Sequence, residues 1–360
     1  MVDLLPRTSL IHKAGPDIDV SQIHVARAET DWSHAYMNSQ NQFVARKWFP
    51  VFAATQITGI VYKWRKDTWY RRWAGKWQPG TTPDQARMAL DSPLAYQLDW
   101  TAVQYPLPSH LMGVADPGIN LDRASTELVT NTLMMEQEIV IAEKFFKAGV
   151  WGLDYSGVDE EAEVDPATKK FLQFDKIGSQ PREVFKALKI ALDRKAMEPN
   201  LCVMSKPVFE TLRVHPELLN WFASYATPGI ALSELTEDIV ARALGLPKIV
   251  VAGAKYATSE ENVAVADIVL DYIFDSQGIW LGHIDEPGLM SANSGMLVSR
   301  NFDMDVPGGV DLAIERVPDL EKHVELVQGF QCYQPVLVGP DLGLFMDNAI
   351  SAEAAAGTAY

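Results

Sequence analysis

Five tryptophans and eight basic side chains crowd into residues 46–77. Trp48, Trp64, Trp69, Trp73 and Trp77 are half of the chain's 10 Trp, and Arg46, Lys47, Lys63, Arg65, Lys66, Arg71, Arg72 and Lys76 stand against a single acid, Asp67. Such a mixture can stack indoles on flat partners, set guanidinium groups over aromatic faces and pair cations with carboxylates. This is the chemistry of contact. The stretch carries +7 in a chain whose total is −16, which leaves −23 on the remainder. Trp and Arg are the types enriched where proteins meet, so an interaction segment is expected here. A platform for single-stranded nucleic acid is the rival reading, and a Trp-rich pair of core strands is a third for Trp48 and Trp64.

Catalytic chemistry has less support. The seven His residues (His12, His24, His34, His110, His215, His283 and His323) are scattered without metal-ligand spacing. Cys202 lies in an apolar run and is expected to be buried and inert. Lys255 follows Gly253, but the other glycine and the Ser/Thr of a phosphate-binding loop are missing. Asp154, Asp159, Glu160, Glu161, Glu163 and Asp165 lack EF-hand spacing and its central glycine, so a solvated loop is expected. No catalytic residue, cofactor or metal site is expected.

Composition bounds the class. The chain has 360 residues, 48% hydrophobic and 22% charged, which excludes wholesale disorder and suggests two compact units or one elaborated domain. Two cysteines, Cys202 and Cys332, cannot form a disulfide framework. No apolar run reaches a membrane span, and a pI near 4.9 argues against a general nucleic-acid binder.

The elements that must carry the basic segment read as follows. Alternation over 60–65 and again over 69–73 predicts a long β-hairpin, leaving through the loop-like Gln78-Pro79-Gly80-Thr81. Asn120 or Asp122 is expected to cap a helix that runs to Ala148, about 40 Å long. Its stripe includes Leu121, Ala124, Leu128, Met135, Ile139, Ala142 and Phe146. Ser179 is expected to cap a helix reaching Lys195. Residues 201–204 read as a buried strand followed by two short helical pieces, and 234–244 as a helix ended by Gly245. Further strands are expected at 248–252, 267–274, 278–284, 311–316, 324–331 and 336–338, and an exposed end at 351–360.

The order of these features resembles the major capsid proteins of tailed bacteriophages, with the Hong Kong 97-type fold. The resemblance rests on Ala45-Arg46-Lys47-Trp48-Phe49-Pro50-Val51, Gly59-Ile60-Val61-Tyr62, Asp67-Thr68-Trp69-Tyr70-Arg71 and Ala115-Asp116-Pro117-Gly118 before the long helix. It continues through Gly149-Val150-Trp151-Gly152, Asn200-Leu201-Cys202-Val203-Met204-Ser205, His215-Pro216 and Leu244-Gly245-Leu246-Pro247-Lys248-Ile249, and covers roughly residues 40–350.

The resemblance implies an α+β structural subunit, not an enzyme. It would have an N-terminal arm (1–45), an extended β-hairpin loop (46–90), a peripheral domain (91–178 and 311–360) with a spine helix at 121–148, and an α/β apical domain (179–310). Such subunits self-assemble into pentamers and hexamers of an icosahedral shell, built in the host cytoplasm, that encloses double-stranded DNA without sequence-specific binding. An acidic inner wall would leave that DNA ungripped. Trp64, Arg65, Trp69, Arg71, Arg72, Trp73 and Trp77 would contact a neighbouring subunit, with acids from 159–165 or 136–143 facing them. A separate scaffolding protein, a portal and a decoration protein are the implied partners, with no membrane. No Lys–Asn cross-link is expected, since neither Lys63, Lys66 nor Lys76 can be matched with Asn348 to the family's motif. An encapsulin-like compartment shares the fold and is the alternative; an unrelated α/β enzyme is the third.

Overall fold

The computed structural model describes residues 24–25, 42–108, 121–225, 235–259, 264, 267, 269–288, 291–302 and 311–357. Most of the expected N-terminal arm, the turn at Asp116, Pro117 and Gly118, the cap at Asn120 and the helix start at Glu234 lie outside them.

In chain order, β1 (His24–Val25) precedes α1 (Ala45–Trp48), β2 (Val51–Ala54) and β3 (Thr58–Val61). The segment that follows carries α2 (Lys66–Tyr70) and returns as β4 (Leu94–Gln97), which leads into β5 (Asp99–Pro108) and the long helix α3 (Leu121–Phe145). Next come β6 (Leu153–Val158), β7 (Lys170–Leu172), α4 (Pro181–Lys195), β8 (Leu201–Ser205), α5 (Lys206–Arg213), α6 (Pro216–Tyr225), α7 (Glu237–Leu244) and β9 (Ile249–Ala252). The chain then forms β10 (Lys255–Ala257), β11 (Leu270–Tyr272), β12 (Ile279–Gly282), β13 (Gly295–Arg300), β14 (Leu312–Asp319), β15 (Val324–Leu337), β16 (Gly343–Asp347) and α8 (Ala352–Ala355).

Two six-stranded sheets organise the molecule. One has the order β7-β6-β16-β12-β8-β9. Its central strands are apolar on both faces, because successive side chains point to opposite sides. Cys202, Met204, Ile279, Leu281, Leu344 and Met346 face a core closed by α4, α5 and α7. Val203, Trp280 and Phe345 face the opposite way into an aromatic core. There Trp48 packs against Phe49, Phe146, Trp151, Phe274 and Trp280 at centroid distances of 4.9, 5.7, 6.0, 6.0 and 5.2 Å. Burying an aromatic side chain of this size contributes roughly 1.5–3 kcal/mol.

The second sheet runs β1-β14-β15-β13-β2, with β5 on the other side of β15. The long helix lies over it through Val129 and Leu133, against Leu312, Ile314 and Val327. Gly329 in β15 makes that approach possible, since a Cβ there would stand 2.4 Å from Val129 Cγ1. Toward its end the same helix delivers Ile141, Ala142 and Phe145 to the aromatic core. At 25 residues it is about 37 Å long and ties both sheets together.

Several expectations change. The strand expected over 69–73 is absent: α2 and irregular chain occupy its place, and the returning strand is β4, two dozen residues later. The long helix stops at Phe145 rather than Ala148. Gln180, not Ser179, occupies the N-cap position of α4. The strands expected at 324–331 and 336–338 are one continuous strand, and 267–274 shrinks to Leu270–Tyr272. Residues 352–355 form a helix capped by Ser351, with Ala354 and Ala355 packed on the core. Sheet membership also crosses the expected partition, because β6, β7 and β16 pair with strands of the 179–310 segment while β13 joins the other sheet.

Candidate functional site

The segment between β3 and β4 is the surface with the strongest chemistry. Its stem is a four-pair antiparallel ladder, Thr58↔Gln97 to Val61↔Leu94, extended by a bridge between Trp64 and Leu90. Gly59 lets the Tyr96 ring lie across the ladder, because a Cβ there would meet that ring at 2.5 Å. Beyond the bridge, neither sheet nor core holds the chain, and almost every side chain is exposed.

The seven residues expected to make contacts lie along this projection without forming one platform. Trp64 sits half-buried in the stem. Arg65 donates from Nε and a terminal nitrogen to the two oxygens of Asp67, at 3.1 and 3.0 Å, so the one acid of the 46–77 stretch is taken by a neighbour in sequence. Trp69, on α2, and Trp77 are 53% and 55% exposed. The Arg71 guanidinium lies 5.4 Å from the centroid of the Trp73 ring, while Arg72 is exposed. Trp73 Nε1 donates to Thr68 O at 2.9 Å and Trp77 Nε1 to Thr81 O at 2.6 Å; Arg71 lies over one face of Trp73, while the Trp77 ring stays exposed.

The sequence reading missed how much more apolar surface lies here. Ile60, Tyr62, Tyr70, Met88 and Leu90 are all exposed. For Met88 and Leu90 the signal was their spacing in step with Leu94 and Tyr96 on the returning limb. Lys66 and Tyr70 touch the body: Lys66 Nζ donates to Lys195 O at 2.8 Å and pairs with Asp341 at 3.2 Å, and Tyr70 OH donates to Ala196 O at 2.9 Å.

Trp48 belongs to a different environment. It is fully buried, so for this residue the core reading holds, although on a helix rather than a strand. The start of α1 is held by Glu138 of the long helix, whose carboxylate accepts from Val44 N at 2.7 Å and Ala45 N at 2.8 Å. Arg46 next to it donates to Gln137 at 3.0 Å and pairs with Asp311 at 2.7 Å. Burial outweighs the two backbone N–H donors and the neighbouring Lys47 and Arg46, and the Glu138 carboxyl is pushed up to about 7. Glu138 is therefore spent inside its own chain and cannot face a neighbour's loop. Among the acids at 154–165, Asp159 pairs with Lys176, Asp154 accepts from Gly149 N and Asp165 from Ala167 N.

One arrangement has the outline of a nucleophile and base. Ser179 Oγ lies 2.9 Å from His215 Nε2. His215 Nδ1 accepts from Glu217 N at 3.2 Å, which puts the ring proton on Nε2, where it donates to Ser179. Ser179 in turn donates to Lys176 O at 2.8 Å. Burial lowers the His215 pKa, keeping the ring neutral. The pair closes a turn and has no free base to offer. Cys202 is likewise fully buried, with its thiol pushed up by desolvation. Among the described residues, no group of three His, Cys, Asp or Glu side chains could hold a metal ion.

No protein-family model and no curated protein matches the chain. Solved structures do. A phage-related protein from Bordetella bronchiseptica RB50 is similar at a TM-score of 0.64 and 19% identity, over 90% of this chain and 97% of that one. A structure from Microbacterium phage Oxtober96 gives 0.51 and 10%, over 95% and 96%. The capsid structure of the cyanophage P-SCSP1u gives 0.50 and 10%, over 95% and 94%. The fold is that of a phage capsid subunit. More narrowly, it is the α+β Hong Kong 97-type fold that the order of sequence features implied.

Proposed function

We propose that the chain is the major capsid protein of a tailed bacteriophage, a structural subunit that associates with copies of itself into pentamers and hexamers of an icosahedral shell. The observation that carries this reading is the whole-length likeness to capsid subunits, over 94% or more of each of two phage structures. Such a subunit needs contact-rich surface outside its core, and the projection between β3 and β4 offers exposed indole and guanidinium groups. Trp64, Arg65, Trp69, Arg71, Arg72, Trp73 and Trp77 lie over a neighbour in this reading, where indole burial and cation contacts add across the interface. The role is architectural and no reaction is assigned to it.

The finer parts follow the same reading. In this reading the β3–β4 projection is the extended loop, and the helix-covered sheet around β12 is the apical part. The shell encloses double-stranded DNA and forms in the host cytoplasm with a separate scaffolding protein, a portal and a decoration protein. Electron microscopy of the purified chain tests this: five- and six-membered rings or closed shells are expected, and a monodisperse monomer at every concentration would overturn it. Particles from the source that hold protein cargo in place of DNA would move the reading to an encapsulin-like compartment.

A further inference from the structure

We propose that the carboxyl-terminal end of α4, with Asp341 beside it, is the seat on which the α2 segment of a second copy docks. The inference deepens the shell-subunit reading and rests on it. The last carbonyls of a helix have no partner within the helix and carry its negative end. Here Lys195 O accepts from Lys66 Nζ at 2.8 Å and Ala196 O from Tyr70 OH at 2.9 Å. Asp341 adds a full negative charge, bridging Lys66 at 3.2 Å and Lys195 at 3.5 Å. The seat thus reads a cation and a hydroxyl four residues apart, which is what one turn of α2 presents.

Within a single chain this docking is incomplete. Lys66 and Asp341 are 47% and 50% exposed, and an ion pair so placed holds weakly. Trp69, Tyr70 and Trp77 remain 53%, 67% and 55% exposed, so the body that accepts two polar groups covers none of these apolar faces. The stem is a four-pair ladder, and such a hairpin is marginal alone. Exchange of an identical element between copies keeps every bond of the seat and lets a second body cover what the first leaves bare. The contact in one chain is the template of the contact between chains.

Zero-length cross-linking tests this. Carbodiimide joins an amine to a carboxylate only when they touch, forming an amide with loss of water. Subunits with light and heavy nitrogen are mixed before assembly, cross-linked and digested. Docking between copies predicts Lys66–Asp341 peptide pairs of which roughly half carry one light and one heavy partner, and their loss in Lys66→Arg. Uniformly light or uniformly heavy pairs would place the contact within one chain and overturn the proposal, as would recovery of no such pair. Microscopy of the same sample scores the shell separately: shells without mixed pairs refute the seat alone. Mixed pairs in small oligomers would support the seat and refute the shell.

Discussion

Trp48 and Trp69 lie 21 positions apart in one tryptophan-rich, basic stretch, yet they have opposite fates. Trp48 is wholly buried among Phe49, Phe146, Trp151, Phe274 and Trp280, while Trp69 is 53% exposed on a projection. The indole N–H groups of the two regions differ as well. Among the described residues Trp48 Nε1 and Trp280 Nε1 find no acceptor, whereas Trp73 and Trp77 in the projection each donate to a nearby backbone carbonyl. In the same core Trp151 Nε1 donates to Phe145 O, so packing there takes both bonded and unbonded indoles, while in the projection Trp69 and Trp77 keep their rings exposed. Residue type announces that an indole will bury its face; the surrounding chain decides whether the partner lies within the molecule or outside it.

The contrast predicts where substitutions act. The largest expected effect is Trp48→Ala, which should cost about 3–5 kcal/mol in chemical denaturation of the subunit. Trp69→Ala should change subunit stability by no more than about 0.5 kcal/mol while weakening association of copies. Equal losses in the two variants would erase the distinction. Next comes Gly329→Ala, which forces a methyl against Val129 and Leu133 and should cost about 1–3 kcal/mol, read as a lowered melting temperature.

The junction between the two regions should be pH-sensitive. Glu138 has a folded-state pKa of about 7 against an ordinary value of 4.5, so the folded state binds the extra proton between those values. Its contribution to stability is fully present below about pH 4.5 and is lost as pH rises through 7, by at most on the order of 3 kcal/mol. Denaturation across that window should show a downward slope that Glu138→Gln flattens, and an unchanged slope would count against the assignment. The smallest effect on the subunit itself is expected from Arg71→Glu with Arg72→Glu. The denaturation midpoint should hold while association falls.

Much of the body was legible in the sequence. The three- and four-residue recurrence of Ala142 with its neighbours marked the long helix, and the uninterrupted run from Leu201 to Met204 marked a strand buried on both faces. The projection was misread in its second half, because alternating Trp and Arg over 69–73 imitates a strand although neither face has a core to bury against. Without that burial, alternation alone does not fix a ladder. β15 was read as two strands, 324–331 and 336–338, whereas its pairing with β5 and β13 runs through the gap between them, and Gly329 within it admits the long helix. Glu138 fell among the acids at 136–143 expected to face a neighbour's loop, since nothing local shows that Val44 and Ala45 will bring two N–H groups to it. The joining of β6, β7 and β16 to β8, β9 and β12 depends on pairings nearly 200 residues apart, which spacing within a segment cannot carry.

The central claim is that the exposed tryptophans and arginines of the β3–β4 projection hold copies of this chain together while the buried ones hold the chain itself. Sedimentation velocity of the wild type beside a variant combining Trp69→Ala, Trp77→Ala, Arg71→Glu and Arg72→Glu tests it most directly. The account predicts rings or shells for the wild type and folded, slowly sedimenting single subunits for the variant. Assemblies of the same size in both would contradict it.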